Sequence, residues 1–260
     1  MNARTFDWGE ARQLSIVSLL LAFILPSAFA FFVFRVVLRL WVENDAAPLI
    51  AYLVLGSLAL LVLAVVGVVL LRSEARQLGI SFWARACFKR LSRREWLLYL
   101  GILLVVGLGS SIALVEVVPG FIDALGPVPD YYPFFLDPTV DVPNTAMAEL
   151  SPGFDLRGAW GVLPLMAVML VLNILAEEFY FRAWILPKLS KYGNWGWIAN
   201  GVLFACYHTF QLWLLPVLLA GSLLTAFVVY RTKSVLPALA VHLVVNTLMS
   251  LAGVASLVAG

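Results

Sequence analysis

The apolar run "AAPLIAYLVLGSLALLVLAVVGVVLL", residues 46–71, decides the class of fold. It contains no charged residue, and a helix of this length is long enough to cross the roughly 30 Å hydrocarbon core of a bilayer. Across all 260 residues, 63% are hydrophobic, only 12% are charged, and the mean hydropathy is +0.98. These values exclude an ordinary soluble domain. The chain is therefore predicted to be all-α, a polytopic bundle of transmembrane helices.

Other charge-free windows lie on both sides of this run, and together they predict about seven membrane-spanning helices. Residues 192–230 carry no formal charge but would be about 58 Å long as one helix, so we expect this stretch to turn back near residues 209–212. The remaining windows are residues 14–34, 96–115, 158–176 and 234–260.

Charges between the windows predict the orientation of the chain. Segment 72–95 holds seven Lys and Arg residues against two acidic ones, whereas the proline-rich segment 119–157 holds six acidic residues against one Arg. We expect the N-terminus and the basic segment to be cytoplasmic and the acidic segment to be an irregular outer connection. Within the basic segment, the spacing of Trp83, Cys87 and Leu91 fits a helix in the headgroup region, and a solvated loop fits equally well.

A charged motif, "AEEFYFRAW" at 176–184, ends the fourth window. Glu178 and Arg182 are four residues apart and can pair on one helix face, which would leave Glu177 free. An unpaired carboxylate in an apolar site is the better candidate base. Asn173 precedes Glu177 by four residues and can hydrogen-bond it. The alternative is that these charges only mark a helix end, where they are tolerated.

The two histidines of the chain, His208 and His242, both fall in charge-free windows. Polar groups there normally face the bundle interior or a hydrated cavity. His242 shares a helix face with Asn246, and His208 shares one with Phe204. A carboxylate and a histidine can deprotonate water, while a second histidine and an amide can donate hydrogen bonds to an oxyanion. Simple helix geometry leaves the depths of the two histidines about 12 Å apart, a mismatch that helix tilt can absorb.

These residues form three ordered motifs, "EEFYFR" at 177–182, "FACYH" at 204–208 and "HLVVN" at 242–246. They resemble the E-E-x-x-x-R, F-x-x-x-H and H-x-x-x-N motifs of the CAAX prenyl protease and bacteriocin-processing (CPBP, Abi) family of intramembrane endopeptidases. The resemblance covers about the last 100 residues. It implies that Glu177 and His208 activate water, that His242 and Asn246 stabilise the oxyanion, and that Glu178 and Arg182 hold the shape of the site.

The expected enzyme needs no cofactor, and a zinc-dependent version is the alternative. Glu177, His208 and His242 can in principle supply three zinc ligands with an open fourth position, although the chain lacks the H-E-x-x-H pattern. We expect residues 1–157 to contain the first three helices and residues 158–260 the catalytic core.

The resemblance implies a membrane-associated protein or peptide substrate, such as a C-terminal processing signal, a lipidated peptide or a bacteriocin-type leader. The compact chain suggests the bacterial inner membrane, with the lipid bilayer as its surroundings, and no basic patch indicates nucleic-acid binding. Two other classes of function stay open at this point. One is a non-catalytic membrane protein that binds a partner or confers immunity, and the other is a proton-coupled transporter, for which no inverted repeat is visible.

Overall fold

A computed structural model describes residues 6–125 and 157–259, and all regular structure in these ranges is helical. The predicted all-α class is therefore confirmed. Most of the proline-rich acidic segment, residues 126–156, lies outside the described residues, and so does the prediction about its conformation. The helices are α1 (Ile16–Glu43), α2 (Pro48–Leu78), α3 (Phe82–Arg85), α4 (Arg93–Leu114), α5 (Val118–Leu125), α6 (Val162–Tyr192), α7 (Asn194–Tyr207), α8 (Leu215–Thr232) and α9 (Leu236–Ala259).

Five helical segments in the described ranges are long and apolar enough to cross a membrane, namely α1, α2, α4, α6 and α8 with the turn that precedes it. The expected number of about seven is not confirmed, because α7 has only 14 residues and α9 is not among the five. Helix α1 continues beyond its predicted end to Glu43, so Arg39 lies within it and pairs with Glu43 at 2.7 Å.

The predicted turn near residues 209–212 is confirmed. Helix α7 ends at Tyr207, a 3-10 segment follows from Thr209 to Leu214, and Gln211 has a non-helical backbone (φ −139°, ψ 50°). Helix α8 then packs along α7, and a Cβ atom on Gly201 would lie 2.8 Å from Leu223 Cα. Glycine is therefore required at this close approach. The turn places His208 at the break between α7 and the 3-10 segment, where its side chain is buried.

The predicted amphipathic helix in the basic segment is wrong. Helix α2 ends at Leu78, the following Gly79 has a left-handed backbone (φ 64°), and α3 is only four residues long. Cys87 also has positive φ (61°), which interrupts any longer helix. The solvated-loop alternative is also incomplete, because Arg85 and Cys87 are buried. Arg85 is buried on Glu74, and its neighbours Ala86 and Cys87 are buried with it.

Helix α6 carries the first motif and packs against both α2 and α9. Its Phe181 is fully buried. The Phe181 ring stacks on Phe23 of α1 at 5.0 Å and meets Phe204 of α7 edge-on at 4.9 Å. Helices from both halves of the chain thus fix the position of the motif. The boundary at residues 157/158 stays a prediction.

Candidate active site

Helix α6 changes its hydrogen-bonding pattern within the first motif. It is α-helical to Glu177, π-helical from Glu178 to Ile185, and a 3-10 helix from Leu186 to Tyr192. A π-helical turn is wider than an α-helical turn, and such turns are frequent at functional sites. The expected i, i+4 pairing of Glu178 with Arg182 assumed α-helical geometry throughout.

The expected hydrogen-bonded pair between Glu178 and Arg182 is not formed. Arg182 Nε and Nη1 and Glu178 Oε2 are buried without a hydrogen-bond partner among the described residues. The guanidinium carbon of Arg182 instead lies 3.5 Å from the centre of the Phe204 ring, a cation–π contact that becomes stronger when water is excluded. Arg182 still feels the charges of both Glu177 and Glu178, so it acts on the site through the electric field.

His208 lies against Glu177 from the break between α7 and α8. Its Nδ1 is 3.0 Å from the carbonyl oxygen of Phe204, and since a carbonyl only accepts, Nδ1 carries the proton. In the neutral ring the other nitrogen, Nε2, is then an acceptor. It lies 3.7 Å from Glu177 Oε1, which is too long for a direct hydrogen bond. A single water can donate to both atoms.

His242 approaches the same carboxylate from α9. Its Nδ1 donates to Glu178 Oε1 over 3.1 Å, and its Nε2 lies 3.8 Å from Glu177 Oε2. Both imidazoles therefore turn Nε2 towards Glu177 while Nδ1 is held from behind, by a backbone carbonyl for His208 and by a carboxylate for His242. Glu178 thus orients His242, a function that sequence reasoning assigned only loosely to the shape of the site.

Two asparagines extend the network. Asn173 Nδ2 donates to Glu177 Oε1 at 3.0 Å, which confirms the contact expected from their spacing. Asn246 Nδ2 donates to Asn173 Oδ1 at 3.1 Å, a link between α9 and α6 that the sequence did not indicate. The second N–H of the Asn246 amide is left for another acceptor.

The site opens into a cavity of about 480 Å³ with a largely apolar lining. The structure brings all six site residues predicted from the sequence to the wall of this cavity, and their chemical roles stay predictions. The six are Glu177, Glu178, Arg182, His208, His242 and Asn246. The cavity thus combines a cluster of polar groups with an apolar volume large enough for a peptide segment or an acyl chain.

Three lining residues were missed or undervalued by sequence reasoning. Phe204 supplies both the ring under Arg182 and the carbonyl that holds His208. Tyr52 and Tyr207 also line the cavity. An aromatic residue in an apolar helix gives no sign of such a role, so only the motif spacing could have indicated Phe204.

Within residues 6–125 and 157–259, no group of three or more His, Cys, Asp and Glu side chains has the arrangement of a metal site. The donors of the zinc alternative, the Glu177 carboxylate and the two histidine Nε2 atoms, face one another across 3.7 and 3.8 Å. The zinc-dependent version stays a prediction.

Comparison with known proteins agrees with the motifs. Residues 159–248 match the model of the family described as type II CAAX prenyl endopeptidase Rce1-like, and the matched segment contains all three motifs. No curated protein and no solved structure matches the chain. The resemblance to CAAX proteases is thereby confirmed, and with the long apolar helices it indicates an integral membrane endopeptidase that acts on membrane-associated substrates.

Proposed function

We propose that this protein is a glutamic-type intramembrane endopeptidase in which Glu177 and His208 activate the attacking water. The observation that carries the proposal is the convergence of both histidine Nε2 atoms on the two oxygens of one buried carboxylate, at 3.7 and 3.8 Å. Such convergence is unnecessary for packing, since each imidazole already has a hydrogen-bond partner at Nδ1.

In the proposed reaction, water held by Glu177 and His208 attacks the carbonyl carbon of the scissile peptide bond and gives a proton to Glu177. The carbonyl oxygen becomes an oxyanion, which accepts hydrogen bonds from His242 and Asn246. His242 must carry a proton on Nε2 for this step, and Glu178 at Nδ1 balances the resulting positive charge. The C–N bond then breaks as the proton on Glu177 passes to the leaving amine.

The apolar lining of the cavity favours a substrate that is itself in or on the membrane, such as a lipidated peptide or an anchored C-terminal signal. A cavity enclosed by helices is reached most directly from the lipid or the membrane surface. The basic segment supports a cytoplasmic N-terminus, and we propose a bacterial inner membrane as the location.

The test compares native membranes that contain wild type or Glu177→Gln, by quantitative mass spectrometry of the C-termini of membrane proteins. Glutamine keeps the size of the side chain but cannot take a proton. Glu43→Gln is the matched control, because Glu43 is an exposed carboxylate outside the site. We expect a set of C-termini that is present with wild type and Glu43→Gln and lost with Glu177→Gln. Identical termini in all three would reject the proposal.

Two further arms separate the alternatives. If 1,10-phenanthroline abolishes the Glu177-dependent termini and zinc restores them, the zinc-dependent version replaces the metal-independent one. If no termini depend on Glu177 but deletion of the protein has a phenotype, the partner-binding and transport functions take precedence. Proton-coupled uptake in proteoliposomes distinguishes between those two.

A further inference from the structure

A buried ion network lies behind the active site, at the far end of the π-helical turn. Its centre is Glu74 of α2, which accepts from Arg85 Nε at 2.8 Å and from Arg85 Nη2 at 2.6 Å. Glu74 also accepts from Trp184 Nε1 at 2.9 Å and pairs with Lys188. The Arg85 side chain is completely buried. Burying charges of this kind costs free energy unless each charge is well paired and its remaining polar atoms are hydrogen-bonded.

The guanidinium of Arg85 does more than neutralise Glu74. Its Nη1 donates to the backbone carbonyl of Ala183 at 2.7 Å, and its Nη2 reaches the carbonyl of Trp184 at 3.3 Å. Both carbonyls belong to the π-helical segment that begins with Glu178. One side chain from outside the family-matched segment therefore binds two consecutive carbonyls of the motif helix.

Pro187 removes one of the backbone donors that could otherwise bind these carbonyls. It lies in the 3-10 segment directly after the π-helical turn and has no backbone N–H. In a 3-10 or an α-helical turn, the N–H of residue 187 would donate to the carbonyl of Trp184 or Ala183 respectively. Those are the two carbonyls that Arg85 binds. The guanidinium stands in for the donor that proline removes.

We propose that Arg85 is a positioning residue of the proposed protease: by replacing the missing N–H of Pro187 it holds the π-helical turn that sets Glu178 and Arg182 against Glu177 and His242. It touches none of the reacting atoms. The inference rests on the proposed function, since it assigns Arg85 a part in the same site. If the turn relaxes, Glu178 loses its alignment with His242 Nδ1, and displacements of about 1 Å can slow a reaction on the order of 100-fold.

The test is a double-substitution cycle between Arg85 and Pro187 in the full-length protein in native membranes. Arg85→Ala should lower the rate at which Glu177-dependent C-termini accumulate, per amount of folded protein, on the order of 100-fold. Pro187→Ala should keep most of the activity. In the double variant the new N–H of residue 187 can donate to a carbonyl that Arg85 no longer binds. The rate should therefore be at least about tenfold higher than in Arg85→Ala alone.

Two more variants keep the test decisive. Arg85→Lys retains the buried charge and serves if Arg85→Ala fails to fold. A lysine cannot bind Glu74 and two carbonyls at once, as the forked guanidinium does. This variant should therefore also cleave slowly, and Pro187→Ala should restore part of its rate. Arg90→Ala, an exposed arginine in the same segment, is the matched control and should behave as wild type. An equal loss in both backgrounds would overturn the proposal, because it would mean that Arg85 serves only to neutralise Glu74.

Hydrogen exchange of the amides in residues 178–192 gives a readout that does not depend on proteolysis. Arg85→Lys should speed their exchange, and Pro187→Ala should slow it again. If no termini depend on Glu177, the proposed function fails while the exchange data still decide whether Arg85 holds the turn. Unchanged exchange in Arg85→Lys would overturn the positioning role even if the protease activity is confirmed.

Discussion

The role of Asn246 yields a prediction with a calculable magnitude. The family resemblance implies that Asn246 binds the oxyanion, whereas the structure shows its Nδ2 donating to Asn173, which in turn donates to Glu177. Loss of a direct oxyanion donor slows catalysis roughly 10²–10³-fold. Loss of a neutral hydrogen bond that only supports Glu177 costs about 0.5–1.5 kcal/mol, which corresponds to roughly 2- to 13-fold in rate at about 1.4 kcal/mol per factor of ten.

The geometry allows both functions at once, because the amide has two N–H groups and only one is bound to Asn173. We therefore expect Asn246→Ala to lose roughly 100-fold or more in kcat and Asn173→Ala to lose roughly tenfold or less. In the double variant the losses should combine less than additively by about the value of the shared hydrogen bond, as for residues in one network. The deviation from additivity measures the relay, that is, the hydrogen-bond chain from Asn246 through Asn173 to Glu177, separately from the contact with the oxyanion.

The assay measures single-turnover cleavage of a substrate identified from the Glu177-dependent termini, with protein purified in detergent. Asn44→Ala is the matched control, because Asn44 is exposed at the end of α1. If Asn246→Ala loses no more than Asn173→Ala, and the double variant loses no more than either, Asn246 acts only through the relay. That result would refute its oxyanion role.

The remaining predictions test the division of labour and the packing around the site. Glu177→Gln should abolish cleavage with an unchanged melting temperature. Arg182→Ala should lower the melting temperature, since it removes the buried positive charge that interacts with both Glu177 and Glu178. Equal loss of folded protein in both variants would contradict this. Phe204→Leu should keep the carbonyl that holds His208 but lose the ring under Arg182. We expect it to lower the free energy of unfolding by roughly 1–2 kcal/mol. An unchanged melting temperature in thermal denaturation would show that the contact does not stabilise the protein. Burial raises the pKa of the Cys87 thiol to about 11, and only the thiolate reacts. Maleimide at neutral pH should therefore leave Cys87 unlabelled until the protein is unfolded in SDS, and rapid labelling before unfolding would place Cys87 at the surface.

The membrane helices and the contacts between polar residues four apart could be predicted from the sequence, because both depend on patterns within a single helix. A run such as residues 46–71 has to be a membrane helix whatever surrounds it. The pairing of Asn173 with Glu177 was likewise predictable, because four residues of α-helix bring the two side chains together without help from other helices. The position of the turn after Tyr207 followed from the length of bilayer-spanning helices alone.

Other features depend on contacts between distant segments and could not be predicted. The π-helical turn from Glu178 to Ile185 breaks the i, i+4 rule that suggested the pairing of Glu178 with Arg182. That turn is supported from Arg85, almost a hundred residues earlier. The basic segment shows the same limit. The spacing of Trp83, Cys87 and Leu91 fitted a helix and a solvated loop equally well, and it gave no sign that Arg85 would be buried on Glu74 after a helix of only four residues.

The distribution of unsatisfied polar atoms bears on why charges occur in so apolar a helix. Among the described residues, five buried side-chain atoms lack a hydrogen-bond partner, and three of them belong to Glu178 and Arg182. Each such atom costs about 1–3 kcal/mol of stability, and a protein selected only for a firm scaffold would have lost them. Both residues line the cavity. Buried polar groups kept at this cost beside a cavity are typical of functional sites, which favours an enzyme over a partner-binding scaffold.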